Sequence, residues 1–378
     1  MKIDKGRDIV LFLGAGFSSD ADLPTMARFG EESDEEGKRI QKHKGRWKAY
    51  EMYSNAYRGY KEVQNIFERA QRFVDIDVNN METIFCMAEA MSESNIEAIT
   101  EEKRKEIKRW LWKIYQQCPP VQRGKEGLAV PYFNLIKSIK NCDSISRINV
   151  ITTNYDLVFE YMTWKEGIKC AYPFEGENAD KCRLLEYDRP YVILRPDVDS
   201  PIVCKLHGSI SYFEKDHSRT LFILDNIVPY FTSKKIKIGE SCIPNLPEIF
   251  AFDALYELDR REMPNIPAII PPTYAKLEGR PWLREIWNAA FKAIQNAKYI
   301  IFIGYSMPQT DGFMYAMIRS AMAMREDERC LKIFIIDPNP SEGYIKLFRK
   351  VIAKYYPYTF KCAQEKGYLD DIFRECMM

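Results

Sequence analysis

Three short stretches hold the residue types and spacings that could do chemistry. Gly14-Ala15-Gly16-Phe17-Ser18 follows directly on the apolar run Ile9–Leu13. After a strand, glycines let the backbone turn tightly and approach a pyrophosphate. The helix start behind them then offers free N–H groups and its positive dipole end. Gly14 and Gly16 suit that task, and the Ser18 hydroxyl can donate to a phosphate oxygen. The third glycine of G-x-G-x-x-G would fall at Ser19. A dehydrogenase would also carry an acidic residue ending a second strand about twenty residues on. A highly charged, helix-like run stands there instead, which disfavours an ordinary dehydrogenase. The alternative is a tight strand–helix turn with no ligand.

The second stretch is Thr153-Asn154-Tyr155-Asp156, just beyond the apolar run Ile148–Ile151. Either Asn154 or Asp156 can cap the following helix. The third is Leu206-His207-Gly208-Ser209, at the end of Ile202–Cys204. Of the three histidines, His43 lies in a charged run and His217 in a polar loop, so His207 alone occupies a plausible catalytic position. Imidazole titrates near neutrality, which suits proton transfer; an isolated histidine can equally be structural. Gly304-Tyr305-Ser306 and Asp337-Pro338-Asn339 end two further apolar runs, Tyr299–Ile303 and Ile333–Ile336.

These five runs do not alternate between apolar and polar residues, as expected of strands buried on both faces. Helical patterns separate many of them, among them Trp282–Ala297 and Gly312–Met324. The alternation predicts an α/β fold with a doubly wound, mainly parallel, Rossmann-like sheet. In such a sheet ligands bind beyond the carboxyl ends of the strands. The five polar endings would therefore collect at one crevice.

Between the first two runs lies a long helical region. It opens with an acidic then a basic block, followed by Trp47, Tyr50, Tyr53, Tyr57 and Tyr60 at helical spacing. That stripe fits the core face of a helix, or a stacking surface for bases. The patterns Met81–Met91 and Glu101–Gln117 close the region, with Pro119-Pro120 at its end. Residues 31–127 read as a helical insertion into a nucleotide-binding domain formed by 1–30 and 128–378. Residues 165–200 form a polar variable stretch. Residues 214–266 carry an apolar patch, Leu221–Tyr230, and a helical pattern near Pro247–Leu258.

A chain of 378 residues can bury a large core. Its 55 basic residues balance 54 acidic ones, so no basic lobe advertises nucleic acid. Mean hydropathy is −0.37. The first apolar run is too short for a signal-peptide core or a membrane span, so a cytoplasmic location is expected and no membrane partner. None of the ten cysteines stands in a C-x-x-C pair, which suits reduced, mostly buried thiols and shows no zinc ribbon.

Taken in order, the Gly14–Ser18 loop with Leu23-Pro24-Thr25, Thr153–Asp156, Leu206–Ser209, Gly304–Ser306 and Asp337–Asn339 resemble the sirtuin family. The likeness is greatest to its divergent bacterial branch of sirtuin-like, NAD-degrading anti-phage defence proteins. The resemblance runs from residue 9 to about 345 through these islands. It implies NAD⁺ as substrate across the crevice, with Asn154 and His207 catalytic and His207 the general base. The implied NAD⁺-binding set is Gly14, Ala15, Gly16, Phe17, Ser18, Thr25, Asp156, Gly304, Tyr305, Ser306 and Asp337. Of these, the Gly14–Ser18 loop would hold the pyrophosphate. Asn154 and Asp156 would lie near the nicotinamide ribose and carboxamide, Gly304 and Ser306 at the phosphates and adenosine ribose, and Asp337 beside the adenosine. Two departures argue against protein deacylation. The four-cysteine zinc ribbon is missing, so no zinc is expected, and Pro24-Thr25-Met26-Ala27 replaces the family's Pro-Asp-Phe-Arg segment.

The reading that follows is an NAD⁺ hydrolase releasing nicotinamide and ADP-ribose, in gated antiviral depletion of NAD⁺. An NAD-dependent deacylase or ADP-ribosyltransferase, and a non-catalytic nucleotide sensor or scaffold, are the alternatives. Unrestrained NAD⁺ loss would harm the cell, and little follows the core before Met378. Sensing is therefore expected from another polypeptide or from assembly. The resemblance suggests a homo-oligomer on a HerA-type ring ATPase, without sequence-specific nucleic-acid binding by this chain.

Overall fold

The computed structural model describes residues 8–19, 62–69, 71–73, 81–93, 101–116, 126–141, 145–174, 183–185, 192–193, 200–214, 221–224, 237–238, 241–242, 266–272, 277, 280–307, 311–325, 331–339, 342–348 and 351–377. Thr25, the aromatic stripe Trp47–Tyr60, Pro119-Pro120 and the pattern near Pro247–Leu258 lie outside the described residues.

In chain order the strands begin with β1 (Ile9–Leu13), β2 (Ile148–Thr152), β3 (Cys170–Ala171), β4 (Arg183–Leu185), β5 (Val192–Ile193), β6 (Ile202–Lys205) and β7 (Gly208–Glu214). They continue with β8 (Leu221–Leu224), β9 (Lys237–Ile238), β10 (Ser241–Cys242), β11 (Ile266–Ile269), β12 (Tyr299–Ile303), β13 (Lys332–Ile336) and β14 (Ile352–Tyr356). Eight of them form one sheet in the order β14-β13-β12-β1-β2-β6-β3-β5. Every pairing within it is parallel.

The five apolar runs are therefore strands, and they are neighbours. β1, β2 and β6 are buried along their whole length. Parallel strands need crossover connections, whose helices cover both faces of the sheet. Helices Pro281–Asn296 and Gly312–Ala323 pack on each other. Helix Glu126–Asn141 packs separately with Val158–Lys165, Phe360–Glu365 and Tyr368–Met377. These two groups are the layers of a doubly wound α/β fold. The strands β2, β6, β3 and β5 all lie on one side of β1, and the chain then returns to lay β12 on the other side. The order of strands reverses there, between β1 and β12, and such switch points are where open parallel sheets bind ligands.

A second sheet, β11-β7-β8-β4, takes three strands from the chain after β6 and β4 from the chain before it, and was not expected from sequence. β7 pairs antiparallel with both β11 and β8. The patch Leu221–Tyr230 supplies β8 from its first four residues. Helix Glu101–Gln116 packs against β7 and β11, and its Trp112 Nε1–H donates to Ile210 O at 2.6 Å. The patterns Met81–Met91 and Glu101–Gln117 are the helices Met81–Glu93 and Glu101–Gln116. No helix among the described residues is long and apolar enough to cross a membrane.

Candidate functional site

Because the five strands are parallel neighbours, their carboxyl ends share one edge. Across the order β13, β12, β1, β2, β6 that edge carries Asp337, Gly304-Tyr305, Gly14, Asn154 and His207.

At the centre, two turns press together. Gly14 N–H donates to Ile303 O at 3.1 Å and Gly16 N–H to Gly304 O at 2.8 Å. A methyl group on Gly14 would sit 2.4 Å from the Tyr305 Cα, and one on Gly304 would sit 2.3 Å from Phe17 N. Gly304 also takes φ 59°, which favours glycine. The glycines thus have a structural reason of their own, the contact between β1's turn and β12's turn. Phe17 anchors the short helix Ala15–Ser19 in the core, against Tyr132 and Phe360. Its carbonyl accepts from Tyr132 Oη–H at 2.6 Å. Tyr305 turns its ring onto Phe12, with centroids 4.6 Å apart. Ala15 is half-buried on the same turn, and Ser306 is exposed.

Asn154 is tied to that turn from the neighbouring strand. Its Nδ2 donates to Gly14 O at 2.8 Å and to Ser18 Oγ at 3.0 Å. A carbonyl can only accept, so the Gly14 contact fixes which end of the amide is nitrogen. Both amide hydrogens are then used, and Oδ1 remains as the acceptor that can meet a water or a ribose hydroxyl. Thr152 Oγ1 supports the arrangement: it donates to Leu13 O at 2.9 Å and accepts from Asn154 N–H at 3.0 Å. Asp156 Oδ1 accepts from Val158 N–H at 3.0 Å, a local turn just ahead of helix Val158–Lys165; the N-cap position itself is Leu157 and makes no side-chain cap, so neither Asn154 nor Asp156 takes the capping position the sequence left open.

Beneath this loop lies a buried ammonium that sequence reasoning passed over. Lys205 Nζ donates to Asp156 O, and to Asn154 O at 3.4 Å. It also pairs with Glu160 Oε1 at 3.1 Å, both side chains being 1% exposed. Burial pushes the Glu160 carboxyl above its ordinary value, against the pull of Lys205.

His207 is buried at the end of β6. Its Nδ1 lies 3.1 Å from Ile270 O and its Nε2 3.1 Å from Asp311 Oδ2. Tyr155 Oη–H donates to the same Ile270 carbonyl at 3.2 Å, and its ring meets the imidazole edge-on. Asp311 also caps helix Gly312–Ala323, its Oδ1 accepting from Met314 N–H at 3.3 Å. Gly208 must be glycine: its φ is 80°, and a Cβ there would sit 1.7 Å from Ala268 O.

At the far side, Asp337 Oδ1 accepts from Asn339 N–H at 2.8 Å. Burial raises its carboxyl, opposed by that N–H. The structure therefore brings the Gly14–Ser18 turn, Asn154 and the Gly304–Tyr305 turn into direct contact. It sets His207 on the next strand, bonded to other partners, and Asp337 two strands from β1. Among the described residues no cluster of three or more His, Cys, Asp or Glu side chains could hold a metal ion.

A solved Sir2 structure with a p53 peptide and NAD⁺ matches at TM-score 0.42 and 11% identity, covering 97% of this chain and 93% of that one. A second, Sir2 with the inhibitor EX-527, 2′-O-acetyl-ADP-ribose and deacetylated p53 peptide, matches at TM-score 0.40 and 11% identity, covering 97% and 95%. No curated relative matches the chain. The model of the SIR2-like domain matches residues 148–356, which run from the start of β2 to the end of β14. That is more than half of the sequence, and the chain belongs to the SIR2-like domain family.

Proposed function

We propose that this protein is an NAD⁺ hydrolase that cleaves the N-glycosidic bond to nicotinamide. The observation that carries the reading is the bonding of Asn154 to both Gly14 O and Ser18 Oγ, with His207 on the adjacent strand end. The turn suited to a pyrophosphate and the two groups suited to hydrolysis thus share one edge, at the switch point of a SIR2-like sheet.

The bond between the ribose C1′ and the pyridinium nitrogen breaks, and its electron pair leaves with nicotinamide. The leaving group is neutral, so no acid is needed to protonate it. C1′ becomes oxocarbenium-like, as in other glycosyl transfers. A water oxygen bonds to C1′ and its proton passes to a base. Asn154 Oδ1 orients the water or a ribose hydroxyl without adding charge. His207 takes the proton. Its Nε2 faces Asp311 in the structure, so the ring exchanges that partner for the nucleophile before it acts.

On this reading the Gly14–Ser18 turn holds the pyrophosphate, with Ala15, Phe17 and Thr25 on the same segment. Gly304, Tyr305 and Ser306 lie toward the phosphates and adenosine ribose, Asp337 toward the adenosine, and Asp156 near the nicotinamide ribose. Activity is gated, in antiviral NAD⁺ depletion, by assembly into a homo-oligomer with a HerA-type ring ATPase. Residues 31–127, read as an inserted helical unit, offer the docking surface. Family membership and the ordered motifs support this.

The test is incubation of the chain with NAD⁺, alone and with the neighbouring ATPase and DNA. Free nicotinamide and ADP-ribose are expected. Both His207→Ala and Asn154→Ala should lose about 10²-fold or more, the usual worth of a positioned base. ADP-ribose on protein, or binding without turnover under every condition, would overturn the reading.

A further inference from the structure

A lysine buried to 1% exposure at the end of a core strand calls for a reason, because desolvating an ammonium is expensive even when it is paired. An apolar side chain would complete β6 at lower cost. What Lys205 touches supplies the reason. Its Nζ reaches the carbonyls of Asn154 and Asp156, which flank Tyr155 in the loop between β2 and helix Val158–Lys165. Buried carbonyls need donors, and Lys205 gives this loop two hydrogen bonds from one atom. Glu160, one turn along the helix that follows, balances the charge.

We propose that Lys205 is a positioning residue for Asn154. By holding the carbonyls of residues 154 and 156 it fixes the backbone from which the Asn154 amide reaches Gly14 O and Ser18 Oγ, and so aims Oδ1. The lysine touches no substrate. The inference rests on the hydrolase reading for its kinetic consequence, but the geometric claim stands apart from it. Glu160 belongs to the fold, Lys205 to the site.

That division separates the two residues experimentally. Lys205→Met alone leaves a buried carboxylate without its partner and can unfold the chain. The double variant Lys205→Met with Glu160→Gln removes both charges, so it avoids an unpaired buried charge and should fold, with only the cost of the lost donor remaining. The loop carbonyls still lose their donor. An ångström of misplacement at a reacting centre can cost about 10² in rate. The double variant should therefore lose about 10²-fold in kcat, with KM for NAD⁺ changed less than about threefold. Glu160→Gln alone leaves the buried ammonium without its counter-charge and should lose stability, but it keeps the lysine's bonds to both carbonyls, so the folded variant should turn over within about threefold of wild type.

A double variant with wild-type kcat would overturn the proposal. So would one that fails to fold, or a Glu160→Gln variant as impaired as the double. If the wild-type chain cleaves no NAD⁺ under any condition, the hydrolase reading fails, and NMR decides the positioning claim. The Asn154 side-chain amide signal, identified by its loss in Asn154→Ala, should shift and exchange faster in the double variant. The Leu206 backbone amide, bonded to Thr152 O at 2.9 Å, should stay protected. An unchanged Asn154 signal would overturn the claim.

Discussion

His207 and Asp311 face each other across 3.1 Å, Nε2 to Oδ2, in a buried setting, while the opposite ring nitrogen faces the Ile270 carbonyl. Both partners can accept a hydrogen from the ring. Asp311→Asn keeps an oxygen to cap Met314 N–H but presents an amide donor to Nε2, which engages the lone pair that must take the proton. Turnover of NAD⁺ should therefore fall about 10²-fold or more, the usual worth of a positioned base. Steady-state kinetics of the variant measure this; wild-type turnover in Asp311→Asn would mean that Nε2 is not the base.

Asn154 makes a second expectation sharp, because its two donors are both committed. Asn154→Asp sets a carboxylate against the Gly14 carbonyl, two acceptors at hydrogen-bond distance. Leaving buried groups so mismatched costs about 1–3 kcal/mol, and the β1 turn loses its tie to β2. Turnover should fall about 10²-fold or more. Ser18→Ala leaves one Asn154 amide hydrogen unpaired but keeps the bond to Gly14 O, so it should cost less than Asn154→Asp, about 1 kcal/mol in stability. Denaturant unfolding and NAD⁺ kinetics of the two variants check this; equal effects would mean that the Gly14 contact carries nothing.

The sequence shows the sheet well wherever strands are buried on both faces. β1, β2, β6, β12 and β13 read as unbroken apolar runs for that reason. β14 escapes because it is an edge strand, with Lys354 reaching out to Glu375 at 2.8 Å. β3 and β5 are two residues each, too short to leave a pattern. The glycines are legible as a need for bare backbone, but not what approaches it. Gly304, 290 residues away in the chain from Gly14, is a contact that only folding shows. Lys205 had a readable signal, a charge closing a run whose other members are apolar. Asp311 had another, standing just before the helical pattern Gly312–Met324, where caps occur. Neither signal names its partner, because Asn154 and His207 come from other strands.

Glu89 makes the last prediction, and it concerns how helices Met81–Glu93 and Glu101–Gln116 are fastened to the rest of the chain. The carboxylate is 1% exposed and meets Arg104 at 3.1 Å, Lys108 at 3.6 Å and Arg280 at 3.9 Å. Arg280 in turn meets Glu214 of β7 at 3.4 Å, so one cluster joins those helices to the second sheet. Burial works to raise the Glu89 carboxyl, but the three cations outweigh it and hold it below its ordinary value. A carboxyl depressed in the folded state binds protons more readily once unfolded. Its contribution is therefore complete above the ordinary glutamate value of about 4.3 and is lost as pH falls through the folded value. Glu89→Gln leaves the cations without their counter-charge and should cost about 3–5 kcal/mol at neutral pH, the scale for breaking a buried pair. The same variant should lose less stability than wild type on acidification below about pH 4.3, because it has no carboxylate there to protonate. Urea unfolding at neutral and acid pH measures both effects. A small neutral-pH cost with an unchanged acid slope would mean that the cluster does not hold these helices in place.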